Sequence, residues 1–486
     1  MEEQSLKEKT VKGVGWSAAD TLLSHAVSFI VGIVLARLLS PTEYGLIGLT
    51  TIFIVVLESI VDSGFSTSLI RKKDVTNDDY NTMFITNFVM SILMYTLLFF
   101  CAPRIAVFFE RPELIELVRV MGLLIIIQAL SIVQYTVLTK KIDFKTKTKA
   151  SFIAGICSGT VGIIMAFRGF GVWSLVGQRL SREFINTLCL WIFNRWWPKL
   201  RYSIDSLRYM WGFGWKMLVS GLLERIWNQL YQAVVGKYYN PATLGQYSRA
   251  KDFAVLLSSN FQTIVGRVTY PVLAEVQDDK TRLISAYRRI IKTTMFITVV
   301  SIISLGAVAE PFIYCLIGPQ WHQASTFLPF ICVSMSLYPL HAINLNMLKV
   351  QGRSDIFLYL EIIKKIIAIG PICLGIFVSI YWMLIGSIIA GIIGFFLNTY
   401  YTGKKMGYTS WMQLKDVAPS YGLAFTIALS VYFLKYLPLS YWFILLIQIF
   451  VGMTVFFVVC NLTQMEEYKE VKGIMEPMVR KLFKRK

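Results

Sequence analysis

The segment from Tyr441 to Asn461, YWFILLIQIFVGMTVFFVVCN, contains no charged residue and is long enough to cross the hydrocarbon core of a bilayer as one α-helix. Comparable apolar runs recur from Thr21 to Cys460. Of the 486 residues, 55% are hydrophobic and 16% are charged, whereas a soluble protein has roughly 25% charged residues. The mean hydropathy is +0.58. The sequence therefore predicts an all-α polytopic integral membrane protein.

Apolar windows bounded by charged residues, proline or glycine predict about fourteen transmembrane helices. These windows cover residues 14–38, 44–66, 82–102, 114–138, 150–167, 171–193, 211–236, 252–276, 290–310, 324–346, 356–378, 381–400, 418–434 and 441–461. The seventh and eighth windows are only moderately apolar, because they contain Lys216, Glu224, Arg225, Arg267 and Glu275. Their prediction as transmembrane helices depends on an internal repeat.

The basic residues are concentrated in alternate loops between the windows. Lysines and arginines outnumber acidic residues 48 to 29, which gives a formal net charge of +19. The larger basic set lies at the N-terminus, at 140–149, 195–208 and 280–292, and in the C-terminal tail. The positive-inside rule places these segments, and with them both termini, in the cytoplasm. Because the positive charge is divided among short juxtamembrane segments, we expect membrane lipids and no nucleic acid as partners.

Two short motifs from the beginning of the chain return near its middle. Gly13 to Trp16, GVGW, recurs as Gly212 to Trp215, GFGW, and Pro41 to Gly45, PTEYG, recurs as Pro241 to Gly245, PATLG. An even number of predicted helices separates the copies, so the two halves share one orientation, as in transporters built from parallel repeats. The sequence therefore predicts an internal duplication.

This duplication divides the chain into predicted segments. Residues 1–205 and 206–403 are expected to form two six-helix lobes, and residues 404–461 two additional C-terminal transmembrane helices. The tail, residues 462–486, has apolar residues at helical spacing between lysines and arginines. We predict a basic amphipathic helix on the cytoplasmic membrane surface, and the alternative is a frayed basic tail.

The sequence lacks the common signatures of enzymes. It contains no P-loop, no HExxH zinc motif and no GxSxG nucleophile elbow, and it has only 3 histidines. The predicted outward loops are too short to carry a catalytic domain. We therefore expect a transporter with no cofactor and no metal.

The first and seventh predicted helices each carry a row of polar residues on one face, at spacings of three or four. The rows and their neighbours are Asp20, Ser24, His25 and Ser28, and Lys216, Ser220, Glu224, Arg225, Asn228 and Gln232. An ionisable side chain inside a bilayer costs several kcal/mol unless it faces water or a partner. Because the repeat places the two rows at equivalent positions, we predict that they line a central wet cavity between the lobes.

Other charged residues within the windows extend this prediction. The predicted substrate-binding residues are Lys216, Arg225, Arg267, Arg119, Arg179, Asn228, Ser24 and His25, a set whose cations suit a phosphate or diphosphate. The residues predicted to couple transport to a proton or sodium gradient are Asp20, Glu58, Asp62 and Glu224. The alternative for pairs such as Arg179 with Glu183, or Glu361 with Lys365, is mutual neutralisation between helices.

Several segments together resemble a known family. They are RLLSPTEYGL at 37–46, LGQYSRA at 244–250, YPVL at 270–273, Tyr287-Arg288-Arg289 and QGRSD at 351–355. These segments are similar to the polysaccharide transporters of the MATE-like superfamily, which are flippases for lipid-linked oligosaccharides in O-antigen, colanic acid and teichuronic acid export.

The resemblance implies a bacterial cytoplasmic-membrane flippase. Such a protein moves an undecaprenyl-diphosphate-linked glycan by alternating access through a central cationic cavity, and the polysaccharide polymerase machinery is a further expected partner. Two alternative functions within the same superfamily are a lipid II-type flippase and a cation-coupled multidrug antiporter. A non-transport scaffold would leave the polar rows unexplained.

Overall fold

The structure is a computed structural model that describes residues 23–24, 26–276, 278–351 and 353–483. In these residues the regular secondary structure is helical throughout, which confirms the predicted all-α class. Contacts divide the chain into two compact units, Met1–Gly245 and Gln246–Lys486.

The first unit contains nine helices and the beginning of a tenth. They are α1 Ala26–Leu38, α2 Pro41–Asp62, α3 Phe65–Arg71, α4 Asn77–Phe109, α5 Leu114–Met121, α6 Leu123–Lys140, α7 Phe144–Phe167, α8 Val172–Asn194, α9 Ile204–Tyr238 and α10 Pro241–Glu275.

The second unit contains the rest of α10 and ten further α-helices. They are α11 Lys280–Ala307, α12 Ala309–Leu316, α13 His322–Ser336, α14 Tyr338–Val350, α15 Ser354–Ile367, α16 Ile369–Phe377, α17 Ile380–Met406, α18 Ser410–Tyr432, α19 Tyr441–Leu462 and α20 Glu466–Phe483. Short 3₁₀ helices cover Pro319–Trp321 and Phe433–Tyr436.

Helix α2 begins with local capping chemistry that is visible in the sequence. Pro41 occupies the first turn, where its missing N–H costs no hydrogen bond. The Ser40 hydroxyl accepts a hydrogen bond from the Glu43 N–H, and the Glu43 carboxylate accepts one from the Ser40 N–H at 2.6 Å. Helix α4 begins in the same way with Thr76 and Asp79. These capping boxes fix where the two helices start.

Nine helical segments in the described part of the chain are long and apolar enough to cross a membrane. They include α2 with α3, α4, α7, α11 and α19. The remaining long helices α8, α9 and α10 are interrupted by charged residues, as is the α15 and α16 pair. The protein is a multi-pass membrane protein, and the number of fourteen transmembrane helices stays a prediction.

The second copy of the glycine motif lies where α9 closely approaches the break between α2 and α3. Helix α2 ends at Ser63 and Gly64, which have positive φ values of 48° and 70°. A Cβ added to Gly214 would lie 2.7 Å from the carbonyl oxygen of Ser63. Because any side chain at position 214 would overlap this oxygen, only a glycine there lets α9 approach the break between α2 and α3. The first copy, at 13–16, lies outside the described residues.

Helix α9 packs against α2, α3 and α4, all of the first unit. The lobe boundaries predicted at 205, 403 and 461 remain predictions, as does the surface position of the tail. The tail residues do form a helix, α20, which contacts α11.

The second unit is organised around a buried polar network within an apolar core. The Tyr287 hydroxyl donates to Asn344 Oδ1 at 2.7 Å, and Thr402 and Gln413 donate to the same oxygen at 3.2 Å each. These side chains come from α11, α14, α17 and α18, so the network joins four helices. Because an unpaired polar group in such a core is costly, the network fixes their register.

Candidate functional site

Two acidic residues lie in the second half of α2, a helix that is otherwise largely apolar. Glu58 and Asp62 are both half-buried and lie on the same face. Asp62 accepts hydrogen bonds from the hydroxyl and N–H of Ser66, at 2.5 and 3.4 Å. Asp62 thus accepts a hydrogen bond from the free N–H of Ser66 in the first turn of α3. Glu58 makes no comparable contact with a helix end among the described residues.

Two arginines on α8 connect that helix to its neighbours. The Arg179 guanidinium donates to the Thr51 hydroxyl of α2 at 2.5 Å. The Arg182 guanidinium donates to the Ser28 hydroxyl of α1 at 3.0 Å. Both side chains are half-buried. These hydrogen bonds connect α8 to both α1 and α2.

Charged residues from α2, α8 and α9 come together in the first unit. Glu58 interacts electrostatically with Glu183 and Arg179 of α8 and with Arg225 of α9, and Arg225 also interacts with Asp62. We call these five residues the charged cluster. Four of them, Glu58, Asp62, Arg179 and Arg225, are residues that the sequence predicted to act in binding or ion coupling.

The charged cluster is the candidate functional site, because ionisable groups carry a high free-energy cost inside a membrane. Glu58 and Asp62 lie on α2, which is part of a segment apolar enough to span a membrane, and ionisable groups in such segments are retained mainly for function. Two guanidinium groups at one site can bind phosphate oxygens through paired hydrogen bonds. The adjacent carboxylates can bind a proton or a cation. The cluster therefore combines guanidinium groups, which are able to bind an anion, with titratable carboxylates.

The other predicted residues are distributed differently. Lys216, Glu224 and Asn228 are exposed on α9, on the helix that supplies Arg225. Ser24 is half-buried, near the beginning of the described chain. Arg119 points to α4, where its guanidinium donates to the Phe99 carbonyl at 3.4 Å and lies 4.2 Å from the Phe99 ring centroid.

Three predicted residues fall beyond what the structure describes. Asp20 and His25 lie outside the described residues, and Arg267 lies within α10 at a position whose side chain is not described. Their roles stay predictions.

Thr51 is a partner that the sequence analysis missed. It lies beside Thr50 in an apolar stretch, and no spacing distinguishes the two threonines, so only the 2.5 Å contact with Arg179 identifies Thr51. The sequence offered neutralisation of Arg179 by Glu183 as an alternative to a binding role, and in the structure Glu183 also interacts electrostatically with Glu58. Among the described residues, no group of three or more His, Cys, Asp or Glu side chains could hold a metal ion.

The chain is similar to known proteins both in sequence and in fold. The chain is 25% identical over 372 residues to the succinoglycan biosynthesis transport protein ExoT of Rhizobium meliloti, covering 76% of this chain and 75% of the relative. Its fold is similar to lipid II flippase MurJ in an inward closed conformation, with a TM-score of 0.75, 16% identity, and coverage of 94% and 99%.

The MATE-like fold is also confirmed. An inward-facing multidrug resistance MATE transporter of the MOP superfamily aligns with a TM-score of 0.60 and 17% identity, covering 80% of this chain and 96% of that one. The family described as Polysaccharide biosynthesis protein matches residues 34–326, more than half of the chain. The chain therefore belongs to the Polysaccharide biosynthesis protein family.

Proposed function

We propose that this protein is a flippase that moves an undecaprenyl-diphosphate-linked oligosaccharide across the bacterial cytoplasmic membrane for surface polysaccharide biosynthesis. The charged cluster on α2, α8 and α9 is the observation that carries the proposal. Translocation of a polar headgroup requires a polar path through hydrocarbon, and it needs no covalent chemistry. Alternating access with both termini in the cytoplasm is the mechanism that we propose.

The composition of the cluster favours an anionic headgroup. Arg179 and Arg225 provide planar, permanently charged donors that match phosphate oxygens. We propose that they contact the diphosphate, together with the other predicted binding residues. Glu58 and Asp62 would then take up a proton or a sodium ion, so that a gradient drives the return of the empty transporter.

The names of similar proteins support a lipid-linked cargo. ExoT is named as a transport protein for succinoglycan biosynthesis, and MurJ as a flippase for lipid II. A lipid II-type cargo is the second candidate, supported by the MurJ-like fold, and it has the same diphosphate chemistry. A multidrug antiporter for organic cations is less well supported, because Arg179 and Arg225 would repel such a cargo.

The test is transfer of a fluorescent undecaprenyl-diphosphate oligosaccharide across proteoliposomes. The full-length protein is compared with Arg225→Ala and Lys216→Ala, each with and without imposed proton and sodium gradients. Arg208→Ala is the matched control, because Arg208 lies on the same helix, α9, and is an exposed arginine paired with Asp205. Lipid II and an organic cation are tested as alternative cargoes.

We expect transfer that requires the protein, falls about tenfold in Arg225→Ala, because a charged hydrogen bond to the diphosphate is lost, and is unchanged in Arg208→Ala. The gradient that accelerates transfer identifies the coupling ion. If the protein transfers lipid II but not the oligosaccharide lipid, the proposed cargo is wrong and lipid II takes its place. Export of organic cations without any lipid transfer would overturn the proposal.

A further inference from the structure

A histidine of α14 meets a lysine of α15 over a glycine of α17. Both side chains pack on Gly394, because a Cβ added there would lie 3.5 Å from His341 Cε1 and 3.4 Å from Lys364 Cδ. Lys364 in turn forms an ion pair with Glu361 at 2.5 Å. Three helices of the second unit therefore bring an imidazole, an ammonium and a carboxylate together. His341 has no part in the proposed function.

Asn398, one turn after Gly394 on α17, is the hydrogen-bond partner of this imidazole. Its Nδ2 lies 3.1 Å from His341 Nδ1. Asn398 is fully buried, and its Oδ1 has no hydrogen-bond partner within the part of the chain that the structure describes. Since a buried polar atom without a partner is costly, most such atoms are paired. The unpaired amide oxygen therefore requires a reason other than packing.

The Asn398 amide suits both protonation states of His341. A neutral imidazole with a free Nδ1 accepts a hydrogen bond from Nδ2, whereas an imidazolium must donate one from Nδ1. Rotation of the amide by half a turn presents Oδ1 to that donor. The oxygen that is unpaired beside a neutral His341 thereby becomes the acceptor for a protonated one, so the site can hold the imidazole with or without the proton.

Lys364 is the charged residue that acts electrostatically on His341 in the described part of the chain. Helices α11, α13, α15 and α17 pack against α14. Other ionisable side chains on these helices have different partners: Tyr287 with Asn344, Arg288 with Asp416, Arg289 with Glu470, Lys292 with Glu466, His322 with Tyr314, Lys349 with the Phe357 ring, Asp355 with Arg353 and Tyr381 with Thr326. Lys365 follows Lys364, and Tyr338 is exposed one turn before His341. The Lys404 and Lys405 side chains are not described.

The Glu361–Lys364 ion pair determines how readily the imidazole takes a proton. A proton on His341 places a second positive charge beside the Lys364 ammonium, and Glu361 reduces the repulsion because it neutralises that ammonium. His341 and Asn398 lie in the segments Pro319–Val350 and Ile380–Gly403, which are long and apolar enough to cross a membrane. Ionisable groups in such segments are retained mainly for function, and histidine is the side chain suited to exchange a proton near neutral pH.

We propose that His341 is a proton-binding site of the second unit, and that the proton it takes up helps to couple transport to a proton gradient. The coupling role rests on the proposed flippase function, and the site is separate from the charged cluster of the first unit. Protonation adds repulsion between His341 on α14 and Lys364 on α15, so it favours an arrangement in which these side chains lie farther apart. Proton uptake is thereby linked to movement of α15.

The first test follows the protonation of His341 directly. The full-length protein is labelled with nitrogen-15 histidine in lipid nanodiscs, and NMR spectra of the imidazole nitrogens are recorded from about pH 4 to about pH 9. Because the chain has only 3 histidines, His341→Gln identifies the signal by its loss. Glu361→Gln and Lys364→Gln each remove one member of the ion pair, and Lys365→Gln is the matched control on the same helix.

We expect His341 to change from neutral to protonated within this range. Glu361→Gln should move the midpoint of this titration to lower pH, because it leaves Lys364 without its counter-ion. Lys364→Gln should move the midpoint to higher pH, and each shift should be about one pH unit. Lys365→Gln should shift it much less, and equal shifts in the two lysine variants would contradict the assignment. An imidazole that keeps one protonation state throughout in the unmodified protein would overturn the inference without depending on any variant.

The second test measures glycolipid transfer in proteoliposomes with and without an imposed proton gradient. His341→Gln should lose most of the acceleration that the gradient produces, whereas His322→Gln, the matched control at an exposed histidine, should retain it. Full acceleration in His341→Gln, or none in the unmodified protein, would overturn the coupling role. Absence of all transfer by the unmodified protein would refute the proposed function instead, and the titration would still decide whether His341 binds a proton.

Discussion

Gly45 and Gly245, the equivalent glycines of the two sequence repeats, lie against each other at the beginnings of α2 and α10. A Cβ added to Gly45 would lie 1.7 Å from the Pro241 carbonyl oxygen, and one added to Gly245 would lie 1.9 Å from the Pro41 carbonyl oxygen. Each repeat thus supplies a glycine to the other repeat's proline. The two copies of the motif therefore contact each other reciprocally.

Gly45→Ala is expected to destabilise the protein by about 1 to 3 kcal/mol, because the new methyl group overlaps backbone atoms that no rotamer change can move. Thermal unfolding of the purified full-length protein measures the effect. Gly212→Ala is the control, since a Cβ there meets no atom within 4 Å. An unchanged unfolding midpoint for Gly45→Ala would show that the two helix ends are not in close contact.

Asp416→Ala is expected to cost about 2 kcal/mol, because it leaves a buried hydroxyl and a guanidinium without their acceptor. Asp416 accepts two hydrogen bonds from Arg288, both at 2.8 Å, and one from the buried Tyr408 hydroxyl at 2.6 Å. Asp355→Ala removes a comparable but exposed contact with Arg353, and should cost less than about 1 kcal/mol. Chemical or thermal unfolding compares the two variants, and equal losses would contradict this ranking.

Glu470→Gln is expected to loosen α20 from α11. The Glu470 carboxylate pairs with Arg289 at 2.5 Å and accepts a hydrogen bond from Thr293 at 2.6 Å. Hydrogen exchange of the α20 amides should become faster in this variant, and in the unmodified protein at 1 M salt, where the Debye length is about 3 Å. Glu466→Gln is the milder control, because Glu466 is mostly exposed and lies 3.3 Å from Lys292. Exchange that is insensitive to both changes would mean that apolar contacts alone hold α20.

The contribution of Glu110 to stability is expected to depend on pH. The Lys237 ammonium lies 2.9 Å from the Glu110 carboxylate and holds the pKa of that carboxyl below its ordinary value of 4.5. Because the folded pKa is lowered, the contribution is complete above pH 4.5 and is lost as the pH falls through the folded value. Thermal unfolding of the unmodified protein and of Glu110→Gln should therefore differ at pH 7 and converge in acid. A difference that persists in acid would contradict the ion pair.

Some residues of the charged cluster could be predicted from residue type alone, and its partner Thr51 could not. Glu58 and Arg225 were predictable because a charged residue in an apolar window is conspicuous on its own. Thr51 was not, since a hydroxyl is common in membrane helices and acquires its role only when α8 brings Arg179 against α2. The network on Asn344 was equally hidden, because its members are far apart in the chain.

The sequence by itself determined the membrane class, the all-α fold and the family, because hydrophobicity and motifs act over short stretches of chain. The tertiary structure decided which charges meet. Arg119 faces Phe99, whereas Arg179 and Arg225 approach Glu58. It also decided that Gly45 meets Pro241. Such contacts depend on how helices cross, and that is set by packing between segments distant in sequence.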